Sequence, residues 1–192
     1  MSYLIVYCHP YPNSFNHAIL RSVCNNLRNK GADLKVIDLY RDQFNPIYSV
    51  EELRLFSSGE TVDPLIQEYW NLLTKAKTII FITPVWWNDI PGMLKGFIDK
   101  VMKQNKAYTV GKLGLKGNLS NIKHCYLLTT STSPTFYLRF LMGNAVQGVF
   151  LNKTLKQLGF QHRRWQNFGM ISTAKKQRLT QYLHQLSCQS FK

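Results

Sequence analysis

The feature that most constrains the fold is an alternation of short apolar runs with stretches of helical periodicity. Residues 3–8 (YLIVYC) form an unbroken apolar run, typical of a strand buried on both faces of a parallel sheet. A helical stripe follows, with Asn13 or Ser14 as its cap and Gly31 at its end. Residues 34–39 form the next run. This order predicts a βαβ unit, whose two strands are parallel.

The same alternation continues along the sequence. Runs at residues 78–82, 122–128 and 160–168 predict three more strands. Helical patterns cover residues 50–56, 64–76, 91–101, 135–158 (interrupted near Gly143) and 173–186. No repeat, low-complexity tract or linker divides the sequence. We therefore predict one α/β domain over residues 1–192, with a flavodoxin-like five-stranded parallel sheet and helices on both faces.

Charge is distributed unevenly along this sequence of net charge +14. All ten acidic residues lie at or before Asp99, whereas residues 100–192 hold fifteen Lys and Arg and no acid. Such a half attracts anions: a nucleotide cofactor, a nucleic acid or an acidic membrane surface. A solvated lysine-rich surface without a dedicated partner is the alternative. We expect no nucleic-acid partner, because the sequence has no recognition-helix or RNA-binding motif.

The compartment is predicted from apolar segments and cysteines. The apolar runs are far shorter than the roughly 20 residues that a transmembrane helix needs. The strand-like run follows Met1-Ser2 directly, without the features of a signal peptide. The four cysteines are scattered, which is typical of buried thiols and not of a zinc site or a disulfide framework. We expect a cytoplasmic protein without a transmembrane segment.

Three loops are candidates for one ligand site, because ligands of parallel α/β sheets bind beyond the carboxyl ends of the strands. The first, residues 9–15, leads into a helix N-terminus, which suits phosphate. His9, Ser14 and Asn16 add side-chain donors there. The loop has neither a dinucleotide fingerprint nor a P-loop. A plain capped helix, with Phe15 packed inward, is the alternative.

The second loop, residues 84–90, contains the adjacent Trp86 and Trp87. Two neighbouring indoles cannot both enter one core, so at least one is expected on a surface where a flat ligand can stack. A core tryptophan beside an interface tryptophan is the alternative. The third loop, residues 129–134, begins with hydroxyl residues that can donate hydrogen bonds to a developing anion, a signal shared with ordinary turns.

These segments carry a resemblance to a known family. The matching pieces are HPYPNSFNHAIL at 9–20, DLYRDQFNP at 38–46, IIFITPVWWNDIPGMLKGFIDKV at 79–101 and LLTTS at 127–131. Together they resemble the NAD(P)H:quinone oxidoreductase family, also called DT-diaphorase-like or flavodoxin-2-like proteins. The resemblance extends from residue 3 to about residue 159, and its central motif is long and specific.

The resemblance implies a flavoprotein that passes two electrons from NAD(P)H to a quinone-like acceptor by ping-pong hydride transfer. It implies phosphate contacts from His9, Ser14, Phe15 and Asn16. It implies flavin-ring contacts from Pro84, Val85, Trp86 and Trp87, with their backbone N–H groups near the ring. It implies further contacts from Thr129, Thr130 and Ser131. Tyr137 falls where the family has a tyrosine over the substrate pocket. Family members are usually homodimers, and residues 136–150 are the candidate contact.

The sequence departs from the family pattern at several positions. Ser131 and Thr132 replace two glycines, and no histidine follows Tyr137 at the usual distance. Trp70 takes the place of a glutamine that touches the adenosine side of FAD. FAD is the expected cofactor because residues 14–16 match FAD-binding members, and FMN is the alternative. A redox-sensing regulatory subunit with little turnover is the alternative function. The electron acceptor, and NADH against NADPH, stay open.

Overall fold

A five-stranded parallel sheet forms the centre of the protein. The computed structural model describes residues 2–112 and 114–192. Its strands are β1 (Ser2–Tyr7), β2 (Asp33–Asp38), β3 (Thr78–Pro84), β4 (Tyr108–Gly111), β5 (Gly114–Gly117), β6 (His124–Thr130) and β7 (Arg163–Phe168). The main sheet has the order β2-β1-β3-β6-β7, with every pair parallel. This architecture confirms the predicted flavodoxin-like α/β fold.

Helices cover both faces of the sheet. They are α1 (Phe15–Asn29), α2 (Val50–Arg54), α3 (Pro64–Lys75), α4 (Gly92–Val101), α5 (Thr135–Phe140), a π-helix (Ala145–Thr154) that continues into α6 (Leu155–Gln157), and α7 (Lys176–Cys188). Side chains of α3, α4 and the π-helix pack on one face, and those of α1 and α7 on the other. Within the described part of the chain, no helix has both the length and the apolar character needed to cross a membrane.

The sheet residues alternate between these two cores, as a strand buried on both faces requires. In β1, Leu4 and Val6 join the α3–α4 side, whereas Ile5 and Tyr7 join the α1–α7 side. All seven residues of the central strand β3 are buried. The carboxyl ends of β1, β3 and β6 therefore lie side by side at one edge of a rigid sheet.

Helix caps place the loops at that edge. Ser14, one of the two predicted caps, accepts a hydrogen bond from the His17 N–H at 3.2 Å and starts α1. Asp63 accepts from the Leu65 N–H at 2.9 Å and starts α3. At both starts the sequence has a typical capping residue, Ser14 or Asp63, directly before the helical pattern.

Several predicted boundaries are wrong, for identifiable reasons. The fourth predicted strand corresponds to β6 and starts at His124 rather than at residue 122. The fifth corresponds to β7 and starts at Arg163 rather than at residue 160. Ile122 and Phe160 are buried loop residues, so their apolar character does not signal a strand. The last helix begins at Lys176, because residues 171–173 form a 3₁₀ turn.

A short antiparallel hairpin, β4–β5, is absent from the prediction. Its strands read YTVG and GLKG and are mostly exposed, so they show no apolar alternation. The predicted break in the long helical region is present: Gly143 and Asn144 have φ values of 69° and 52°, between α5 and the π-helix.

Candidate functional site

A cavity of about 210 Å³, here called the cradle, lies at the carboxyl ends of β1, β3 and β6. Its lining is His9, Ser14, Phe15, Asn16, Pro84, Val85, Trp86, Thr130, Ser131, Thr132 and Ile171. Three loops that are distant in sequence thus meet at one place. Nine residues predicted from the sequence are among those that line it.

A second cavity of about 260 Å³, here called the outer pocket, adjoins the cradle. It is lined by Val85, Trp87, Asn88, Ser131, Thr132, Ser133, Tyr137, Leu138 and Met142. Val85, Ser131 and Thr132 line both cavities, so they form the boundary between them. Trp87 and Tyr137, two further predicted residues, therefore lie together in the outer pocket and not in the cradle.

A larger cavity of about 380 Å³ lies elsewhere, between α4, the β4–β5 hairpin and α6. It is lined mainly by apolar side chains, with Asp99 as its one acid among the described lining residues. None of the residues predicted from the sequence lines it. The loops at the carboxyl end of the sheet, and not this groove, are therefore the candidate site.

The side of the cradle that was predicted to bind phosphate is formed by the N-terminus of α1. His9 Nδ1 accepts a hydrogen bond from the Tyr11 N–H at 3.1 Å, which leaves Nε2 to carry the proton of the neutral ring. Burial lowers the pKa of His9, which favours that neutral form at pH 7. His9 therefore offers an N–H donor close to a helix N-terminus, whose backbone N–H groups and dipole attract anions.

Asn16 links this helix to the end of β6. Its side chain is buried, and Nδ2 donates to Thr130 Oγ1 at 2.8 Å. Its Oδ1 is also buried and has no hydrogen-bond partner within residues 2–112 and 114–192. Buried acceptors are almost always satisfied in native proteins, so this oxygen indicates a donor supplied by a ligand or an ordered water.

The two tryptophans occupy a tight turn. Trp86 and Asp89 exchange two backbone hydrogen bonds, of 2.9 and 3.1 Å, and the residues between them are left-handed, with φ of 50° at Trp87 and 65° at Asn88. A two-residue turn with both φ positive suits Asn but strains Trp, by roughly 1–3 kcal/mol. The Trp87 side chain is 98% exposed, and that of Trp86 is 44% exposed. Strain of this kind is characteristic of functional loops.

The backbone of this loop offers fewer donors than the sequence suggests. The Val85 N–H donates to Thr130 O at 2.8 Å, and the Trp86 N–H donates to Asp89 O at 2.9 Å. Pro84 has no N–H. Of the backbone N–H groups of residues 84–87, which were expected to reach a ligand, only that of Trp87, at the tip of the turn, is left without a bond to one of the described residues.

Thr129 was predicted to contact the flavin, but it lines neither the cradle nor the outer pocket. Its hydroxyl accepts from Trp165 Nε1 and donates to Asn167 Oδ1, both at 2.8 Å, and its side chain is fully buried. Ser131 lines the cavities, but its Oγ accepts from Asn167 Nδ2 at 2.9 Å and donates to Ser133 O at 2.7 Å. Both hydroxyls are therefore occupied by protein partners.

Sequence reasoning placed Thr132 in the third candidate loop without giving it a contact, and it missed Ile171 in the cradle and Asn167 behind it. Asn167 and Ile171 come from the end of β7 and the turn that follows. The rule that placed the other loops, that ligands lie beyond strand ends, could have identified this region. No motif marks it in the sequence, because the resemblance ends near residue 159.

Comparison with known proteins matches residues 1–188 to the flavodoxin-2 family, described as a flavodoxin-like fold. An uncharacterized NAD(P)H oxidoreductase of Haemophilus influenzae is 28% identical over 172 residues, which cover 89% of this chain and 85% of that protein. NAD(P)H dehydrogenase (quinone) 1 of Rattus norvegicus is 29% identical over 151 residues. That match covers 70% of this chain but 55% of the rat enzyme, so the chain spans about half of that relative.

Solved structures show the same fold. The crystal structure of Smu.1420 from Streptococcus mutans UA159 has a TM-score of 0.86 and 32% identity, with 97% of both chains covered. An FMN-dependent NADH-azoreductase of Bacillus anthracis, in complex with FMN, has a TM-score of 0.81, with 97% of this chain and 96% of that chain covered. Its identity is 15%, so this likeness concerns the fold alone.

Proposed function

The chain belongs to the flavodoxin-2 family, and we propose that it is a flavin-dependent NAD(P)H oxidoreductase that transfers two electrons to a quinone-like acceptor. The observation that carries the proposal is the meeting of the α1 N-terminus with the tryptophan turn at one cradle. A helix N-terminus suits a phosphate, and an indole beside it suits a flat ring.

The residues of the cradle fit a flavin. His9, Ser14, Phe15 and Asn16 would hold its phosphates through the neutral His9 donor and the backbone N–H groups of the first helical turn. Asn16 Oδ1, buried without a partner in the described structure, would accept a hydrogen bond from the cofactor. Among the described lining residues none is acidic, so no carboxylate opposes a phosphate there.

The ring would lie along Pro84, Val85 and Trp86, with Thr130 and Ser131 on its other side. Thr130 is the better side-chain partner of the two, because its hydroxyl accepts from Asn16 and can still donate its proton, whereas the Ser131 hydroxyl already both accepts and donates. Thr129 would not contact the ring and would contribute indirectly, by fixing the end of β6 through its bonds to Asn167 and Trp165. Each cavity alone is below the roughly 300–1,000 Å³ of small-molecule sites, so the ligands would span both.

The bound flavin would supply the hydride chemistry, taking two electrons from NAD(P)H and passing them on. The outer pocket would receive the nicotinamide and then the electron acceptor in turn, which gives ping-pong kinetics. Trp87 would stack on either ring, and Tyr137 would donate a hydrogen bond to the acceptor's oxygen. Val85, Ser131 and Thr132, at the boundary, would set how closely these rings approach the cofactor.

We propose FAD as the cofactor, with FMN as the alternative. The FAD expectation follows from Ser14-Phe15-Asn16, whereas the Bacillus anthracis azoreductase shows FMN on this fold. Trp70 lines neither cavity, and its ring lies under Lys106, with Nζ 5.8 Å from the ring centre. Mass spectrometry of the cofactor released by denaturation would distinguish the two flavins.

We also propose a homodimer. Residues 136–150 carry the exposed apolar side chains Phe136, Phe140, Leu141 and Val149 beside the outer pocket. Burial of such a patch against a second copy would remove apolar surface from water. Light scattering of the purified protein tests this, and a monomer at micromolar concentration would contradict it.

The visible spectrum of the purified protein tests the function. We expect a yellow protein that NAD(P)H bleaches and that a quinone such as 2-methyl-1,4-naphthoquinone recolours. A colourless protein that takes up neither FAD nor FMN would overturn the proposal. Flavin binding without appreciable turnover would instead favour the alternative, a redox-sensing regulatory subunit.

A further inference from the structure

The side chain of Asn167, near the end of β7, joins three hydroxyl groups behind the outer pocket. Its Oδ1 accepts from Thr129 Oγ1 at 2.8 Å, and its Nδ2 donates to Ser131 Oγ at 2.9 Å and to Thr135 Oγ1 at 3.0 Å. These partners belong to the end of β6, the loop after it and the first residue of α5. One amide therefore connects both ends of the segment 131–135.

That segment forms part of the wall of the outer pocket. Ser131, Thr132 and Ser133 line the pocket, and α5, which follows, contributes Tyr137. The residue before α5, Pro134, gives the helix no side-chain cap. The position of this wall therefore depends on contacts from β7 and the turn after it. Backbone bonds join the Ser131 N–H to Phe168 O at 3.1 Å and the Ile171 N–H to Ser131 O at 3.0 Å, and Asn167 adds the side-chain bonds, including the one that reaches α5.

The backbone beside Asn167 supports the same arrangement. A side chain at Gly169 would place its Cβ 2.9 Å from Ser133 O and 3.1 Å from Thr135 N. The end of β7 thus approaches the segment as closely as a glycine allows. Close packing at Gly169 and the backbone bonds hold the start of the segment, and the side chain of Asn167 links it to Thr135 at the start of α5.

We propose that Asn167 is a positioning residue that sets the shape of the outer pocket. This inference rests on the proposed function, in which the outer pocket receives the nicotinamide and the electron acceptor. Asn167 lines neither cavity, so it acts through Ser131 and Thr135. Removal of its amide would let the wall and α5 shift, and misplacement by about 1 Å can reduce rates up to about a hundredfold.

The cradle is held by other contacts. Asn16 Nδ2 donates to Thr130 Oγ1, and the Val85 N–H donates to Thr130 O, both at 2.8 Å. Neither bond involves Asn167. Asn167 reaches the cradle only through Ser131 at the boundary, so its loss is expected to disturb the outer pocket more than cofactor binding.

The test compares Asn167→Leu with a matched control, Asn26→Leu. Asn26 is a second buried asparagine, whose Nδ2 donates to Leu186 O at 2.7 Å and to Gln189 O at 2.9 Å. It lines neither cavity, so its loss costs hydrogen bonds without touching the site. Thr135→Ala removes one bond of the network, and Thr135→Ser keeps the hydroxyl, which provides a milder pair of variants.

Three quantities are measured on the full chain: amide hydrogen exchange of residues 131–142 without cofactor, the Kd for FAD and for FMN, and the KM for 2-methyl-1,4-naphthoquinone. In Asn167→Leu we expect faster exchange in that segment and a KM raised about tenfold, with the flavin Kd changed less than about twofold. Thr135→Ala should shift the same way by less, Thr135→Ser should resemble the wild type, and Asn26→Leu should leave segment and KM unchanged.

Unchanged exchange and unchanged KM in Asn167→Leu would overturn the proposal. Equal effects in Asn26→Leu would also overturn it, because they would show general destabilisation. If Asn167→Leu does not fold, the Thr135 pair decides, and two indistinguishable Thr135 variants would contradict the proposal. Lack of quinone reduction by the wild type would refute the proposed function, whereas hydrogen exchange would still test Asn167.

Discussion

Thr129 and Thr130 are neighbours on β6, and their side chains point to opposite faces of the strand. Thr130 lines the cradle, whereas Thr129 donates to Asn167 on the other side. The two-residue period of a strand makes this outcome necessary. The sequence motif could identify the strand end but not which hydroxyl faces the ligand, because that depends on which helix packs on each face.

Trp86 and Trp87 line different cavities, and this difference predicts different effects of their substitution. Trp86 lines the cradle and its ring centre is 6.3 Å from that of His9, whereas Trp87 lines the outer pocket only. Trp86→Ala should raise the flavin Kd by about tenfold, which corresponds to a lost ring contact of about 1.4 kcal/mol. Trp87→Ala should leave the flavin Kd within about twofold and raise the KM for the quinone. Fluorescence titration with flavin and steady-state kinetics measure the two effects.

Trp87→Gly provides the internal control for strain. Because glycine accepts a positive φ without cost, the free energy of unfolding of this variant should be about 1 kcal/mol higher than that of Trp87→Ala. Urea denaturation measures the difference.

Equal loss of flavin binding in Trp86→Ala and Trp87→Ala, or no loss in either, would contradict the assignment of one indole to each cavity.

At the scale of elements, burial explains both the successes and the errors of prediction. The strands β1 and β3 were predictable because they are apolar on both faces and bounded by polar turns. Ile122 and Phe160 extended two predicted strands wrongly, since a loop residue in a core looks like a strand residue in sequence. The β4–β5 hairpin was not predictable, because an exposed hairpin has no buried face to create a pattern.

The connection from α2 to α3 is held by a buried ion pair that sequence analysis did not identify. Lys103 Nζ contacts Glu52 Oε2 at 2.5 Å and donates to Glu60 O at 2.6 Å. Glu52 Oε1 accepts from Thr61 Oγ1 and from the Val62 N–H, both at 2.8 Å. Burial alone raises the pKa of Glu52, but hydrogen bonds from Lys103, Thr61 and Val62 outweigh it and lower the pKa to about 2.

This lowered pKa predicts a loss of stability in acid. The folded protein holds Glu52 ionised more strongly than the unfolded chain does, so the contribution is complete above the ordinary value of 4.5. It is lost progressively as the pH falls from about 4.5 toward 2. Glu52→Gln leaves Lys103 buried without its partner and should lower the free energy of unfolding by about 3–5 kcal/mol at pH 7. Urea denaturation at pH 7 and at pH 3 measures both effects.

A matched control is the exposed pair Lys95–Asp99, one helical turn apart on α4. Their side chains are 57% and 43% exposed, so Asp99→Asn should lower the free energy of unfolding by less than about 1 kcal/mol. A loss in Glu52→Gln as small as in Asp99→Asn would show that the buried pair contributes no more than a surface pair.

At the scale of the whole molecule, the fold shows where the basic residues of the second half of the sequence lie. Of the basic residues after position 100, Arg139 lies on α5, the helix that also carries Tyr137, and Arg178 lies on α7 over the ring of Phe168, at the carboxyl end of β7. A one-signed surface around a cleft raises the local concentration of anions and speeds their binding. The resemblance identified the three loops from motifs, whereas the position of these basic residues becomes visible only in the fold.

The charge predicts which nicotinamide cofactor is preferred under the proposed function. NADPH carries an additional phosphate, so its KM should lie below that of NADH, by about tenfold if the phosphate gains about 1.4 kcal/mol. The preference should shrink as salt is added, because the screening length falls from about 10 Å at 0.1 M to about 3 Å at 1 M. The kcat with the two donors should stay similar, since the adenosine phosphate is remote from the transferred hydride. Equal KM values at low salt, or a ratio that does not change with salt, would show that the basic half serves some other purpose than donor selection.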